Sequence, residues 1–478
     1  MIHHQTLRSA YRRRRTKRRI LFVVAILLLY YVIGLAAPFV YLRPTGAGSG
    51  DLSRYTAEGE GSERVTLIES NVEALEARLR LIREAEKEIL ITTYDFKEGH
   101  AADAIAAELL DAADRGVAVR ILVDGLCGVT NMEGRTFFEA LSTHPSIEIR
   151  LYNRFNLLLP WKMNGRLHDK MFVVDEVVYI VGGRNTWDRF LGDYGAKDES
   201  TDRELLVLAT DPSDTESSVF ALKEYFALLW DSDASDGFRN FGASYDDEKM
   251  ERERIRIREN AYAAFSPAIT GDFTAWLTRH TLPTDRVSLI TGEIGIYGKT
   301  PAVWSEMKQL MLSATERVVI QSPYIVCSKA MYRDLAEIDR TVPLTLVTNS
   351  ILNTDNKFTP ADYLYHQDEI LDSGASILEY NGEKSTHAKT VLIDDSLVLI
   401  GSFNLDLRST YMDTELMVVV DSSALGSLVW ESLSAYYADC TEVGAGTTVD
   451  VLVGEMPFYK RAWYYVFGLL LQPFRFEL

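Results

Sequence analysis

The sequence predicts an α/β protein built from two similar lobes, related by approximate two-fold symmetry and preceded by an N-terminal transmembrane helix. Three observations predict it. A short pattern occurs twice, as HDKMFVVD with His168, Lys170 and Asp175, then Gly182, Gly183 and Asn185, and as HAKTVLID with His387, Lys389 and Asp394, then Gly401, Ser402 and Asn404; His and Asn are 17 residues apart both times. Strand-like and helix-like runs alternate around both copies, which favours a mostly parallel or mixed sheet sandwiched between helices in each lobe. The stretch Ile20 to Leu42 holds 23 residues without a charge, enough for a helix to cross a hydrocarbon core.

Taken in order, residues 1–19 form a basic leader with eight Arg and Lys and no acid, and residues 20–42 the span. Flanking cations favour the cytoplasmic side, so a single-pass cell-membrane protein is expected, N-terminus inside and body outside. A cleaved signal peptide ending near Ala36 and Ala37 is the rival; its apolar stretch is too long and Pro38 disfavours cleavage. Residues 43–62, polar and Gly-rich, read as a flexible tether. The first lobe, 63–230, runs from a helix pattern to EILITTYDF, a helix over Ala101 to Arg115, a turn at Arg115-Gly116 and VAVRILVDG. Residues 231–285, charge-rich and partly helical, read as an insertion between the lobes, with a solvated face on ERERIRIREN and an acyl groove as one use of the AFSPAIT stretch and Trp276. The second lobe, 286–450, repeats the first, with Gln321-Ser322-Pro323-Tyr324 answering Ile91-Thr92-Thr93-Tyr94, and 451–478 is an apolar tail.

The repeated pattern carries the chemistry. Side chains alternate along a strand, so a His and a Lys two positions apart point into the same site. An imidazole can attack phosphorus, and an ammonium beside it can neutralise the non-bridging oxygens of the transition state. With two copies, one His serves as covalent nucleophile while the other protonates the departing alcohol and deprotonates its replacement. A nucleophilic imidazole also needs an acceptor on its second nitrogen, so an acidic residue is expected near each His. Asp175 and Asp394 end one apolar strand just before another, which favours a hairpin or salt-bridge role over chemistry.

The constellation HxKxxxxD followed by GGxN or GSxN resembles the phospholipase D superfamily. GSFNLDLRSTYMDTE around the second motif, LYNRF and VVYIVGGRN around the first, and VTNS at Val347 to Ser350 are most similar to bacterial cardiolipin synthases of the C-type subgroup. The resemblance implies two phospholipase D-like lobes and an acid on the strand after GSxN, where Glu415 fits. In the first half, TDRELLVL offers Glu204 or Asp202; aligning DTELMVV on DRELLVL pairs Glu415 with Glu204, and a longer insertion after Asn185 leaves the choice open. It further implies that His168 is the nucleophile, with His387 as acid and base, although two intact motifs allow either order. Lys170, Lys389, Asn185 and Asn404 would hold the phosphoryl oxygens. The implied reaction is cardiolipin synthesis, with phosphatidylglycerol or phosphatidylethanolamine as donor and phosphatidylglycerol as acceptor, through a phosphohistidine. A hydrolytic phospholipase D, a nuclease of the same fold and a catalytically silent scaffold are the alternatives.

Composition narrows these. The net charge of −19 leaves −27 for the chain after its leader, and polyanion binding draws on a broad basic surface, so no nucleic-acid partner is expected. Cys127, Cys327 and Cys440 are widely spaced without CxxC or interleaved His, which gives no zinc site; no metal or cofactor is called for. Two apolar segments, FNLLLPWKM at Phe155 to Met163 and WYYVFGLLL at Trp463 to Leu471, are too short to span a bilayer but suit its interface, or else pack on the lobes. The membrane and its phospholipids are thus the expected partners.

Overall fold

A computed structural model describes residues 2–36, 50–211, 213–241, 246–264, 272–354, 356, 358–443 and 457–477. The strands are β1 (Glu63–Ile68), β2 (Glu88–Thr93), β3 (Ala118–Asp124), β4 (Ile147–Tyr152), β5 (Met171–Val174), β6 (Val178–Gly182), β7 (Ser200–Thr201), β8 (Glu204–Ala209), β9 (Ser235–Gly237) and β10 (Leu282–Pro283). They continue with β11 (Arg286–Thr291), β12 (Val318–Gln321), β13 (Leu344–Asn349), β14 (Ser376–Tyr380), β15 (Ser385–Thr386), β16 (Thr390–Ile393), β17 (Leu397–Gly401), β18 (Leu416–Asp421) and β19 (Cys440–Val443).

The first sheet has the order β10-β1-β8-β6-β5-β2-β3-β4-β9 and the second β11-β18-β17-β16-β12-β13-β14-β19. Each holds two parallel pairings at its centre, β2-β3-β4 in one and β12-β13-β14 in the other, with antiparallel strands outside them. Strand for strand, β1, β8, β6, β5, β2, β3 and β4 match β11, β18, β17, β16, β12, β13 and β14. The mixed α/β architecture and its duplication are as the alternating pattern predicts. Register corrects one detail: Ile91 lies opposite Phe172 as Ile320 lies opposite Val391, so Ile91 answers Ile320 and not Gln321.

The strands read as nearly continuous apolar runs because both faces are covered. One face of the first sheet packs on the helices Asn71–Glu84 and His100–Asp114, whose alanines and leucines are buried, and the second sheet has its own helical layer in Ala302–Leu312 and Lys329–Asp339. The other faces meet each other. Val173, Val181, Leu205 and Val207 share one core with Leu392, Ile400, Leu416 and Val418, so the lobes form a single packed body. The 231–285 segment lies on the first lobe: the helix Asp247–Ala264 buries Ile257 and Ala261 in that lobe's core, Phe273 and Leu277 join them, and Arg258 binds Asp111 at 2.7 Å. AFSPAIT lies outside the described residues apart from Ala264.

Asp175 and Asp394 both stand in the left-handed region, at φ 54° and 52°, in the turns that follow β5 and β16. Asp175 accepts from the backbone N–H groups of Glu86, Lys87 and Glu88, and Asp394 from those of Thr315, Glu316 and Arg317. Each carboxylate thus ties its hairpin to the start of the neighbouring strand.

A helix over Ile2–Ala36 is the one described helix long and apolar enough to cross a membrane. Residues 37–42 of the expected span and 43–49 of the tether lie outside the described residues. The tether's remainder differs from expectation, since Tyr55 is buried in the core of the second lobe and Arg54 accepts from Ser288. Leu52 packs beside that ring, and the Gly61 N–H donates to the Thr284 carbonyl at 2.7 Å.

The last turns of the anchor dock on the loop that precedes the first motif. Gly34 meets Pro160 so closely that a Cβ would lie 2.4 Å from its Cγ. Asn164 Nδ2 donates to the Leu35 carbonyl at 2.8 Å, Tyr31 donates to the Leu157 carbonyl at 2.6 Å, and Tyr30 stands edge-on to Trp161. Leu157 and Leu158 remain 56% and 76% exposed beside this contact. The helix Phe458–Leu471 packs through Gly468 against Ala361 and Tyr365, leaving Trp463, Val466, Leu469 and Leu470 outward.

Candidate active site

Where the lobes meet, the approaches to the two motifs are bound crosswise to the opposite lobe. Short β15, just before His387, pairs in parallel with β7, just before Asp202; Leu167, just before His168, forms a parallel bridge to Thr414, just before Glu415. The His387 N–H donates to the Thr201 carbonyl at 2.7 Å, and the Thr414 N–H to the Arg166 carbonyl at 2.9 Å. Each histidine is therefore delivered next to the acid of the other lobe. His168 Nδ1 lies 2.8 Å from Glu415 Oε1, and His387 Nδ1 lies 2.8 Å from Asp202 Oδ2. With Nδ1 engaged, Nε2 of each ring is the nitrogen available for attack or proton transfer.

Asp202, and not Glu204, is thus the counterpart of Glu415. Register shows why: Gly182 pairs with Glu204 while the equivalent Gly401 pairs with Met417, which sets Glu204 against Met417 and Asp202 against Glu415. The shared Glu-Leu letters mislead the alignment by two residues. Glu204 is fully buried in a structural cluster, 2.6 Å from Arg78 and 3.3 Å from Arg184. Gly182 and Gly183 leave room for this strand, because a Cβ on either would strike Glu204 or Asp202. Gly401 likewise abuts the Leu416 carbonyl, and the Ser402 hydroxyl donates to Glu415.

Both imidazoles and the carboxamides of Asn185 and Asn404 line one cleft of about 410 Å³. Tyr94, Tyr324, Arg166, Arg408, Ser409 and Asp413 line it too, and so does Leu35 of the anchor. Lys170 and Lys389 are buried, each donating to the carbonyl of its own histidine. Tyr94 packs edge-on to His168, and its ring centre lies 5.7 Å from the Lys170 ammonium.

Burial dominates the electrostatics. It pushes the Glu415 carboxyl up to about 8, against the pull of Lys170 and the Ser402 and Ser409 hydroxyls, and His168 well below its ordinary range, with Lys170 adding to the fall. Both shifts disfavour isolated charge on either partner of the 2.8 Å contact. Lys170 is lowered to about 7 by burial and by Lys389. Asp202 is raised by burial, an effect that Lys389 opposes. Lys299, whose Nζ is buried without a hydrogen-bond partner among the described residues, lies near Asp413, Asp169 and Glu415 and is lowered to about 8 by burial.

Sequence reasoning missed Tyr94, Arg166, Asp413 and Lys299 as site residues. For Arg166 a signal existed: it precedes His168 by the same two positions that separate His168 from Lys170. For Lys299 there was none.

The chain is 29% identical to cardiolipin synthase C of Escherichia coli over 399 residues, 76% of this chain and 82% of that protein. It is 24% identical to cardiolipin synthase A of Proteus mirabilis, covering 78% and 69%. Phosphatidylserine synthase of Haemophilus influenzae shares the fold, with a TM-score of 0.61 at 16% identity over 87% of this chain and 95% of that one. The family model described as "Cardiolipin synthase, PLD-like domain" matches residues 79–230 and 307–436, one segment for each lobe, and the chain belongs to that family.

Proposed function

We propose that this protein makes cardiolipin by moving a phosphatidyl group from one phospholipid to the terminal hydroxyl of a phosphatidylglycerol. The chain is a phosphatidyltransferase of the phospholipase D type. The observation that carries the finer reading is the pair of crossed His–acid contacts at 2.8 Å opening on one cleft. Nε2 of His168 attacks phosphorus while His387 protonates the departing alcohol; the second alcohol then gives its proton to His387 as it displaces the phosphohistidine. Lys170, Lys389, Asn185 and Asn404 stabilise the phosphoryl oxygens. The basic leader favours an N-terminus in the cytoplasm and a body outside, read as a lobe 63–230 and a lobe 286–450.

Purified protein incubated with labelled phosphatidylglycerol, with and without phosphatidylethanolamine, tests this beside His168→Ala and His387→Ala. Cardiolipin that disappears in both variants supports the reading. Phosphatidic acid as the sole product would overturn synthesis in favour of hydrolysis. Denatured at alkaline pH, where the P–N bond survives, His387→Ala should retain label on His168, and label on His387 in the converse variant would reverse the two roles.

A further inference from the structure

We propose that Arg166, together with Arg408, forms a subsite for the phosphodiester of the acceptor lipid, distinct from the centre that binds the transferred phosphoryl group; this rests on the phosphatidyltransferase reading above. Arg166 stands two residues before His168 on an extended segment, so both side chains reach the same cleft. Its side chain is 2% exposed, and its one ion pair among the described residues is a long one, Nη1 to Asp124 Oδ1 at 3.4 Å. Nε and Nη2 have no hydrogen-bond partner among the described residues. Buried donors left open are costly, and an anion within the cleft would satisfy two of them at once.

Arg408 brings the second cation. It comes from the LDLRST segment that resembles the synthases, lines the same cleft, and is held by Asp413 at 3.1 Å and by the Asn164 carbonyl at 2.7 Å. The same Asp413 oxygen accepts the Arg166 backbone N–H at 3.0 Å, so one carboxylate fixes both arginine segments.

The repeat shows that this feature is not part of the shared phosphoryl centre. His, Lys, Asn and a crossed acid occur in both halves, but two residues before His387 stands Ser385. Its hydroxyl is engaged with Ser200 at 2.9 Å between the lobes. A two-fold centre suits the phosphoryl group that is transferred; a guanidinium on the His168 side alone suits a second anion that is present only as acceptor.

The ligand class is an anionic glycerophospholipid with a free hydroxyl in its head group. Its phosphodiester would bridge the arginines while the hydroxyl oxygen reaches the phosphohistidine. The new O–P bond forms as the P–N bond breaks, the electron pair returns to the ring, and the hydroxyl proton passes to the other imidazole. Water and small alcohols lack the phosphate and gain nothing from the subsite, which gives the enzyme a preference for transfer over hydrolysis.

The test sets two acceptors in competition. Full-length Arg166→Gln, Arg408→Gln and Arg166→Lys are assayed on labelled phosphatidylglycerol in detergent micelles with ethanol added, and cardiolipin and phosphatidylethanol are counted from the same reaction. The ratio of cardiolipin to phosphatidylethanol should fall about tenfold or more in both glutamine variants, the KM for phosphatidylglycerol as acceptor should rise, and Arg166→Lys should restore part of the ratio. An unchanged ratio would overturn the subsite, whether the two products fall together or neither falls. Absence of both products from the wild-type protein would instead overturn the transferase reading beneath it.

Discussion

Glu415 of the second lobe holds Nδ1 of His168 of the first at 2.8 Å, and Asp202 returns the contact to His387. Each motif histidine takes its acid from the opposite lobe. Glu415→Gln and Asp202→Asn should each lower kcat by roughly 10²–10⁴-fold, since an amide cannot carry the negative charge that steadies the imidazolium and can turn its NH2 toward Nδ1, which favours the wrong tautomer. Steady-state cardiolipin formation by purified variants measures this. A loss below about threefold in either would show that its histidine works without a cross-lobe acid.

Glu204 should behave in the opposite way. Glu204→Gln leaves Arg78 and Arg184 buried beside a neutral amide, and breaking such a pair costs about 3–5 kcal/mol. Denaturant unfolding should report that loss, while kcat per folded molecule stays near wild type. A selective collapse of kcat with unaltered unfolding would return Glu204 to the catalytic set.

The pH dependence follows from Lys170, lowered to about 7 by burial and Lys389. As pH rises through that value the ammonium loses its charge and the phosphoryl oxygens lose a counter-charge. His168, pushed well below its ordinary range, is already neutral there, so its titration adds no rise. kcat/KM should decline above about pH 7, by up to tenfold per unit. A profile flat to about pH 9 would mean that Lys170 keeps its proton.

The fold carries a second pH signature. Asp169, buried beside Tyr225, is raised from 3.8 to about 7, chiefly by desolvation. A raised acid contributes stability in its protonated form below its unfolded value, and that contribution is lost as pH rises through the folded value. Asp169→Asn should therefore raise Tm more at pH 8 than at pH 5, by about 2 °C or more at the higher pH. Scanning calorimetry at both values decides; an equal shift at each would assign the effect to packing.

Gly34 offers a test of the anchor contact. A side chain there runs into Pro160, so Gly34→Leu should keep the protein in the membrane fraction yet lower activity by about tenfold to a hundredfold as the loop shifts. Full activity in this variant, or with an unrelated helix in place of residues 13–36, would reduce the anchor to a tether.

What the sequence disclosed was what repeats locally. His168 with Lys170 and His387 with Lys389 were legible as a repeated pair that stands just ahead of β5 and β16, and the duplicated sheets followed from the matching order of runs. The choice of Asp202 over Glu204 was hidden, because it depends on ladder register between Gly182 and its partner, and the letters Glu-Leu point the wrong way. Lys299 was hidden more deeply, since it reaches the acids beneath the site from a loop with no motif around it. Tyr55 shows the limit of composition, which described a tether and overlooked the ring that, with Leu52, packs on the second lobe.

Leu35 belongs to the wall of the cleft, which ties the reaction to a plane. With the anchor in a bilayer, both lipids arrive by diffusing sideways within a leaflet. Turnover should then scale with the mole fraction of phosphatidylglycerol in the surface rather than with its bulk concentration, and diluting the vesicles in buffer should leave the rate per enzyme unchanged. If phosphatidylglycerol is the donor, glycerol departs into water while the lipid product remains among its precursors. The membrane thus becomes the vessel in which concentration is counted.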